Sequence, residues 1–173
     1  MTEAGADSAR MRKDAEALLF SLGTAIEVKR LAGVLEIDPR ELEGVLDDLA
    51  TSLRDSGLML QRHGDLVQLV TRPETAPAVR RLLNPEVPGR LSAPAYETLA
   101  IIAYRQPLTK AAIDEIRGVD CERVLEGLEA RGLVEEVGRL ETPGTPRLFG
   151  TTLRFLQLLG VERLEDLPRV GGE

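Results

Sequence analysis

The strongest constraint in this sequence is an order of helices, glycines and turns that occurs twice. From about Lys13, the apolar residues Ala15, Leu18, Leu19 and Leu22 fall at i, i+3, i+4 and i+7, one face of a helix that Gly23 stops. Val28, Leu31, Ala32 and Leu35 repeat the spacing. Asp38-Pro39, with Glu41 in the first turn, is the clearest helix start in the chain. Leu42, Val45, Leu46, Leu49 and Leu53 follow as its apolar stripe, and Gly57 ends it. Two apolar runs, Leu58–Leu60 and Leu66–Val70, flank His63-Gly64-Asp65 as a hairpin would. A helix from about Glu74 to Leu83, carrying Val79, Leu82 and Leu83, closes the series before Asn84-Pro85.

Residues 84–91 hold two prolines and a glycine without periodicity and read as a short, stiff linker. The order then starts again. Ser92 caps a helix to Tyr104 whose stretch Leu99–Ala103 is apolar nearly all round, which predicts burial. Thr109 caps a second helix containing Ile113 and Ile116, and Gly118 follows it. Asp120 opens a third, with Val124, Leu125 and Leu128, ended by Gly132. Leu133–Val137 and Arg147–Phe149 read as strands around the Gly/Pro-rich turn 138–146, and Thr152–Leu159 as a closing helix. The caps Asp38 and Asp120 stand 82 residues apart, as do Glu27 and Thr109 at the second helices. Three short helices and a hairpin make a winged helix-turn-helix. The fold class is therefore mostly α with small β-hairpins (α+β), as two tandem winged helix-turn-helix domains. Their expected limits are a flexible start at 1–12, domains at 13–83 and 92–160 around the linker 84–91, and a tail at 161–173.

Composition narrows the chemistry. The chain is 43% hydrophobic and only 3% aromatic, with no Trp, so its cores are aliphatic. One Cys excludes an internal disulfide framework and fits a reducing cytoplasm. One His leaves almost nothing for a metal site or a nucleophilic dyad, and neither G-x-x-x-x-G-K nor G-x-G-x-x-G occurs. The reading is of a protein that is not an enzyme, with no cofactor and no metal. His63 is a hairpin-tip residue, and Cys121, at a helix N-terminus, is expected to have a lowered pKa but to serve in packing. The start of the chain has no signal-peptide pattern, and the longest apolar run, Leu99–Tyr104, is far too short to span a bilayer. No membrane partner is expected.

A winged helix raises the question of DNA. The formal net charge is −7. The first third helix sets Arg40 and Arg54 against Glu41, Glu43, Asp47, Asp48 and Asp55. The second sets Arg123 and Arg131 against Glu122, Glu126 and Glu129. Wing residues Arg139 and Arg147 neighbour Glu135, Glu136 and Glu141. Carboxylates at that density are repelled by phosphate and leave few arginines to read bases. A protein-interaction module is favoured, with a winged-helix DNA-binding transcription regulator as the alternative and weak DNA contact inside an assembly left open.

From Leu91 onward the sequence resembles one family. The runs Leu99-Ala100-Ile101-Ile102-Ala103-Tyr104-Arg105-Gln106-Pro107, Ile116-Arg117-Gly118-Val119 and Arg131-Gly132-Leu133-Val134 are similar to bacterial segregation and condensation protein B, ScpB. Gly138-Arg139, Thr142-Pro143-Gly144, Pro146 and Gly150-Thr151-Thr152 continue the match in order. Glu16–Phe20, Leu69–Pro73 and Leu164–Pro168 extend it more loosely over nearly the whole chain. Asp120-Cys121 stands where many members carry an Asn-Ser type pair, and Phe149 where Tyr is common. The resemblance implies a homodimer formed chiefly by the N-terminal domain that embraces the kleisin ScpA. Through the kleisin it would join an SMC ATPase that condenses and segregates chromosomes, with the protein cytoplasmic and nucleoid-associated.

Several residues carry a plain reading beside a functional one. Tyr104, Arg105, Gln106 and Pro107 terminate a helix or face the kleisin. Arg117 completes a structural ion pair or meets the partner. Pro143 belongs to a wing stiffened by prolines, a plain turn or a preorganised contact. Phe149 packs, or joins the same partner-binding set. Leu18, Leu19, Phe20 and Leu22 crowd the first helix more than one core face requires and are the candidate dimer interface.

Overall fold

The computed structural model describes residues 3–83 and 90–168. The chain divides into two compact units, one formed by residues 1–85 with 160–173 and the other by 86–159. Of the expected linker, residues 84–89 lie outside the described residues, as do 169–173 of the expected tail.

In the first unit the elements run α1 (Glu3–Leu22), β1 (Ile26–Glu27), α2 (Val28–Leu35), α3 (Pro39–Ser52), β2 (Leu58–His63), β3 (Leu66–Thr71) and α4 (Ala76–Leu83). Helix α1 begins at Glu3, ten residues before the periodicity places it, so the segment expected to be a flexible start is largely helical. Its early part is alanine-rich, Arg10 and Asp14 pair at i,i+4, and Met11 packs against the core. Asp38 caps α3 as expected, accepting from the Arg40 amide at 2.8 Å, with Pro39 at the first helical position. Leu42, Val45, Leu46 and Leu49 are buried with Ala15, Leu19, Leu31, Leu60 and Val67. At about 1.5–3 kcal/mol for each such side chain, this stripe is the main stabilising term of the unit.

The sheet of this unit has three antiparallel strands, in the order β1-β3-β2. Strands β2 and β3 pair from Leu58↔Thr71 to His63↔Leu66, the hairpin expected. The third strand, β1, was not foreseen. It is two residues long, joined by Ile26↔Val67 and Glu27↔Leu66, too short for any periodicity to show.

The second unit repeats the order: α5 (Ala93–Arg105), β4 (Leu108–Thr109), α6 (Lys110–Arg117), α7 (Glu122–Ala130), β5 (Val134–Arg139), β6 (Arg147–Thr151) and α8 (Leu153–Leu159). Its sheet order is β4-β6-β5, the counterpart of the first. Ser92 and Thr109 cap α5 and α6 by accepting from the Ala95 and Ala112 amides. Gly118 follows α6 in the left-handed conformation, φ 70°. The cap of α7 differs by one residue from expectation. Cys121 holds the cap position, while Asp120 still accepts from the Glu122 amide at 3.1 Å. Helix α5 is not buried all round: Leu99, Ile102 and Ala103 are inside, but Ala100 is exposed and Ile101 half-buried.

One glycine here is fixed by close approach. A Cβ on Gly150 of β6 would lie 2.7 Å from Val137 Cγ1 and 3.1 Å from Gln106 Oε1. Gly150→Ala is expected to destabilise the second unit by about 1–3 kcal/mol, read as a lowered urea midpoint.

Candidate protein-interaction surfaces

The parts of a winged helix that would meet DNA are its third helix and its wing. In both units arginines of the wing strands are paired internally, whereas Arg40, Arg54 and Arg123, on or just beyond the third helices, stand exposed. In the first unit, Arg62 of β2 bonds Glu43 and Asp47 of α3, the latter at 2.9 Å. Burial, and then the neighbouring Arg163, push the Arg62 pKa below its usual value. In the second unit, Arg147 of β6 bonds Glu129 of α7 and Glu136 of β5, the latter at 2.6 Å. Arg139 bonds the same Glu136 at 2.7 Å. Glu136 is held below the usual carboxylate range first by Arg139 and then by Arg147. Arg147 is raised first by Glu129 and then by Glu136, and its guanidinium lies over the Phe149 ring at 4.8 Å. Arg131 donates to the Gly127 carbonyl at 3.0 Å. Arg62, Arg139 and Arg147 must each lose a carboxylate before gaining a phosphate.

The corner Tyr104-Arg105-Gln106-Pro107 separates into two kinds of residue. Tyr104, Arg105 and Pro107 are exposed. Gln106 turns inward: its Oε1 accepts from the Thr151 amide at 2.5 Å and from Thr151 Oγ1 at 3.1 Å. Leu108, two residues on, pairs with Phe149, which is itself buried. Gln106 and Phe149 therefore brace the corner against β6. Arg117 is buried along most of its side chain, and its Nη2 donates to Glu97 of α5 at 3.2 Å. Pro143 stands exposed in the turn between β5 and β6, where the Leu140 amide donates to the Pro146 carbonyl at 3.0 Å.

The candidate dimer residues divide in the same way. Leu19 lies in the core and Leu18 packs against it, whereas Phe20 is 72% exposed and Leu22 45%. Beside Phe20 runs a groove of about 270 Å³ lined by Lys13, Glu16, Ala17, Leu58 and Leu69. Leu58 and Leu69 were not singled out in the sequence, because strand leucines on a core face give no sign that part of their surface stays open.

Cys121 departs from expectation. Burial, and then the Asp114 carboxylate that accepts its thiol at 2.6 Å, push its pKa up to about 12 instead of lowering it. The same contact, and then Lys110, hold Asp114 down at about 2. Lys110 ties Asp114 and Asp120 together, at 2.7 and 2.6 Å. Among the described residues no group of three His, Cys, Asp or Glu is placed to hold a metal ion, and no helix is long and apolar enough to cross a membrane.

The model of the family described as segregation and condensation complex subunit ScpB matches residues 13–170. This chain belongs to the ScpB family. A segregation and condensation protein B from Alkaliphilus oremlandii is 39% identical over 95% of this chain and 90% of its own. One from Symbiobacterium thermophilum is 46% identical over 90% of this chain and 71% of its own. The crystal structure of ScpB from Mycobacterium tuberculosis is 35% identical, covering 89% of this chain and 97% of that one, with a TM-score of 0.42. As an ScpB family member the chain is placed in chromosome partition and condensation.

The Cys121 geometry has a direct test. At pH 8, where an ordinary thiol near 8.5 is partly ionised, Cys121 is expected to react with a thiol reagent at least tenfold more slowly in the folded protein than in urea. The Asp114 contribution to stability is present above pH 4 and is lost as the pH falls towards about 2. Asp114→Asn is expected to flatten that limb of an acid-unfolding curve.

Proposed function

We propose that this ScpB family member is a non-enzymatic adaptor. It forms a homodimer through the outward side of α1 and binds the kleisin ScpA of an SMC complex. The observation that carries the reading is a division of labour on the surface. The arginines of the wing strands, Arg62, Arg139 and Arg147, are spent on internal carboxylates, while apolar and aromatic side chains stand exposed at helix ends: Phe20 and Leu22 in the first unit, Tyr104 in the second. Such side chains are the usual anchors of protein–protein contacts.

In this reading Phe20 and Leu22 contact a second copy beside the groove floored by Leu58 and Leu69. The kleisin segment meets Tyr104, Arg105 and Pro107, with Gln106, Arg117 and Phe149 holding that corner in shape and Pro143 at the wing adding a preorganised contact. The SMC ATPase is reached only through the kleisin. DNA is met weakly or indirectly, and the protein works in the cytoplasm, associated with the nucleoid. A transcription regulator would require arginines available to phosphate and base, against the pairing of Arg62, Arg139 and Arg147.

Calorimetric titration of the purified dimer with the central region of ScpA is expected to give saturable binding. Tyr104→Ala combined with Arg105→Glu is expected to weaken it at least tenfold without changing the urea midpoint. Phe20→Asp is expected to convert the dimer to monomer in light scattering. Absence of any binding by the folded wild-type dimer would overturn the adaptor reading.

A further inference from the structure

Strand alternation in the β2–β3 hairpin places Leu58, Leu60, Val67 and Leu69 on the face packed against the helices. Gln61 and Gln68, cross-strand partners, occupy the opposite face, where solvent is the ordinary neighbour. Yet Gln61 is fully buried and Gln68 nearly so. Their side-chain amides are satisfied in series. Gln68 Nε2 donates to Gln61 Oε1 at 3.0 Å, and Gln61 Nε2 donates to the Val161 carbonyl at 2.8 Å. The segment after α8 has come back one hundred residues later to lie on the first unit.

Its seat is built from four further contacts. The Arg62 amide, on the open side of edge strand β2, donates to the Glu162 carbonyl at 2.9 Å, one step of strand-like pairing. Arg72 Nη2 meets Glu162 Oε1 at 3.3 Å. Arg163 Nη2 meets Asp47 Oδ1 at 2.7 Å. Gly160, at φ +71°, lies so close to Pro73 that a Cβ would stand 2.4 Å from its Cγ. A single turn at Leu164–Asp166 follows, closed by the Arg163 amide donating to Asp166 at 2.9 Å.

The chemistry of this seat differs from that of the core. It joins amides, guanidinium groups and carboxylates, all of which water can satisfy, whereas the opposite face of the hairpin is leucine and valine. Asp47 carries two guanidinium groups at once, those of Arg62 and Arg163, so the tail adds a cation beside one already in place. Met59 is also buried on that outer face and is no part of the helix-packed core, so the seat is not wholly polar, but the helix-packed core includes no residue of the tail.

We propose that residues 160–168 are a detachable clasp on the outer face of the β2–β3 hairpin, a second tether that returns the chain to the first unit and opens without unfolding it. With the clasp closed, the stretch that forms the second unit is anchored to the first at both of its ends. With it open, only the chain between α4 and α5 still joins the two.

The test is residue-resolved amide hydrogen exchange on the full-length dimer. Two variants attack the clasp independently. Gly160→Val places a branched side chain against Pro73 in a backbone conformation it rarely adopts, and Arg163→Glu sets a carboxylate against Asp47. Both are expected to speed exchange at the Arg62 amide at least tenfold while the α3 amides of Val45–Leu49 keep their wild-type rates. Unchanged Arg62 exchange in both variants would show that the tail does not close on β2. Parallel acceleration at Val45–Leu49 would show that the tail is an inseparable part of the first unit. Either result overturns the proposal.

Discussion

Each unit stands on one aliphatic stripe, that of its third helix. In a chain with 3% aromatic residues and no Trp, the cores rest mainly on aliphatic side chains packed by number and close fit. Leu42, Val45, Leu46 and Leu49 of α3 do so in the first unit, and Leu125 and Leu128 of α7 in the second, where the buried Phe149 and Phe155 join them. A helix that buries this face presents its remaining faces outward. In both units those faces are rich in glutamate and aspartate, and the hairpin that packs beside the helix supplies the arginines to meet them. Arg62 with Glu43 and Asp47, and Arg147 with Glu129 and Glu136, are the same device in two copies. The architecture of a DNA reader is thereby kept while the arginines of its hairpins are paired internally. At the ends of α1 and α5 the apolar and aromatic side chains of Phe20, Leu22 and Tyr104 stand exposed beside polar ones such as Arg105.

How much of this was legible in the sequence depends on the range of each interaction. Caps and glycine stops are written within four residues, so Asp38, Ser92, Thr109 and Gly118 read correctly. The hairpins read from alternation and turn residues. Strands β1 and β4 did not, because two residues carry no period and their partners lie some forty positions away, Ile26 with Val67 and Leu108 with Phe149. The return of residues 160–168 to β2 left no local trace, since Gln61 and Val161 are joined only by the folded chain.

At the candidate surfaces, residue type was legible and direction was not. A glutamine at a helix end faces a partner or the protein's own backbone with equal ease, and Gln106 takes Thr151. Leu19 and Phe20 are adjacent in the helix and point apart, one to the core and one to solvent. Cys121 shows the same lesson in electrostatics. A helix N-terminus lowers a thiol pKa, but burial and the Asp114 carboxylate oppose it and prevail. Family resemblance was carried by the ordered set of motifs in the second unit, several of which are the caps, glycines and braces that hold its fold.

The central claim is that internal ion pairing removes both winged helices from DNA recognition. It is tested most directly by fluorescence anisotropy of a labelled duplex titrated with the purified protein at about 50 mM salt, where phosphate attraction is strong. The account predicts no saturable binding below roughly 100 µM protein, the weak end of non-specific association. Micromolar binding that weakens steeply as salt is raised would mean that the arginines exchange their carboxylates for phosphate, and would contradict it.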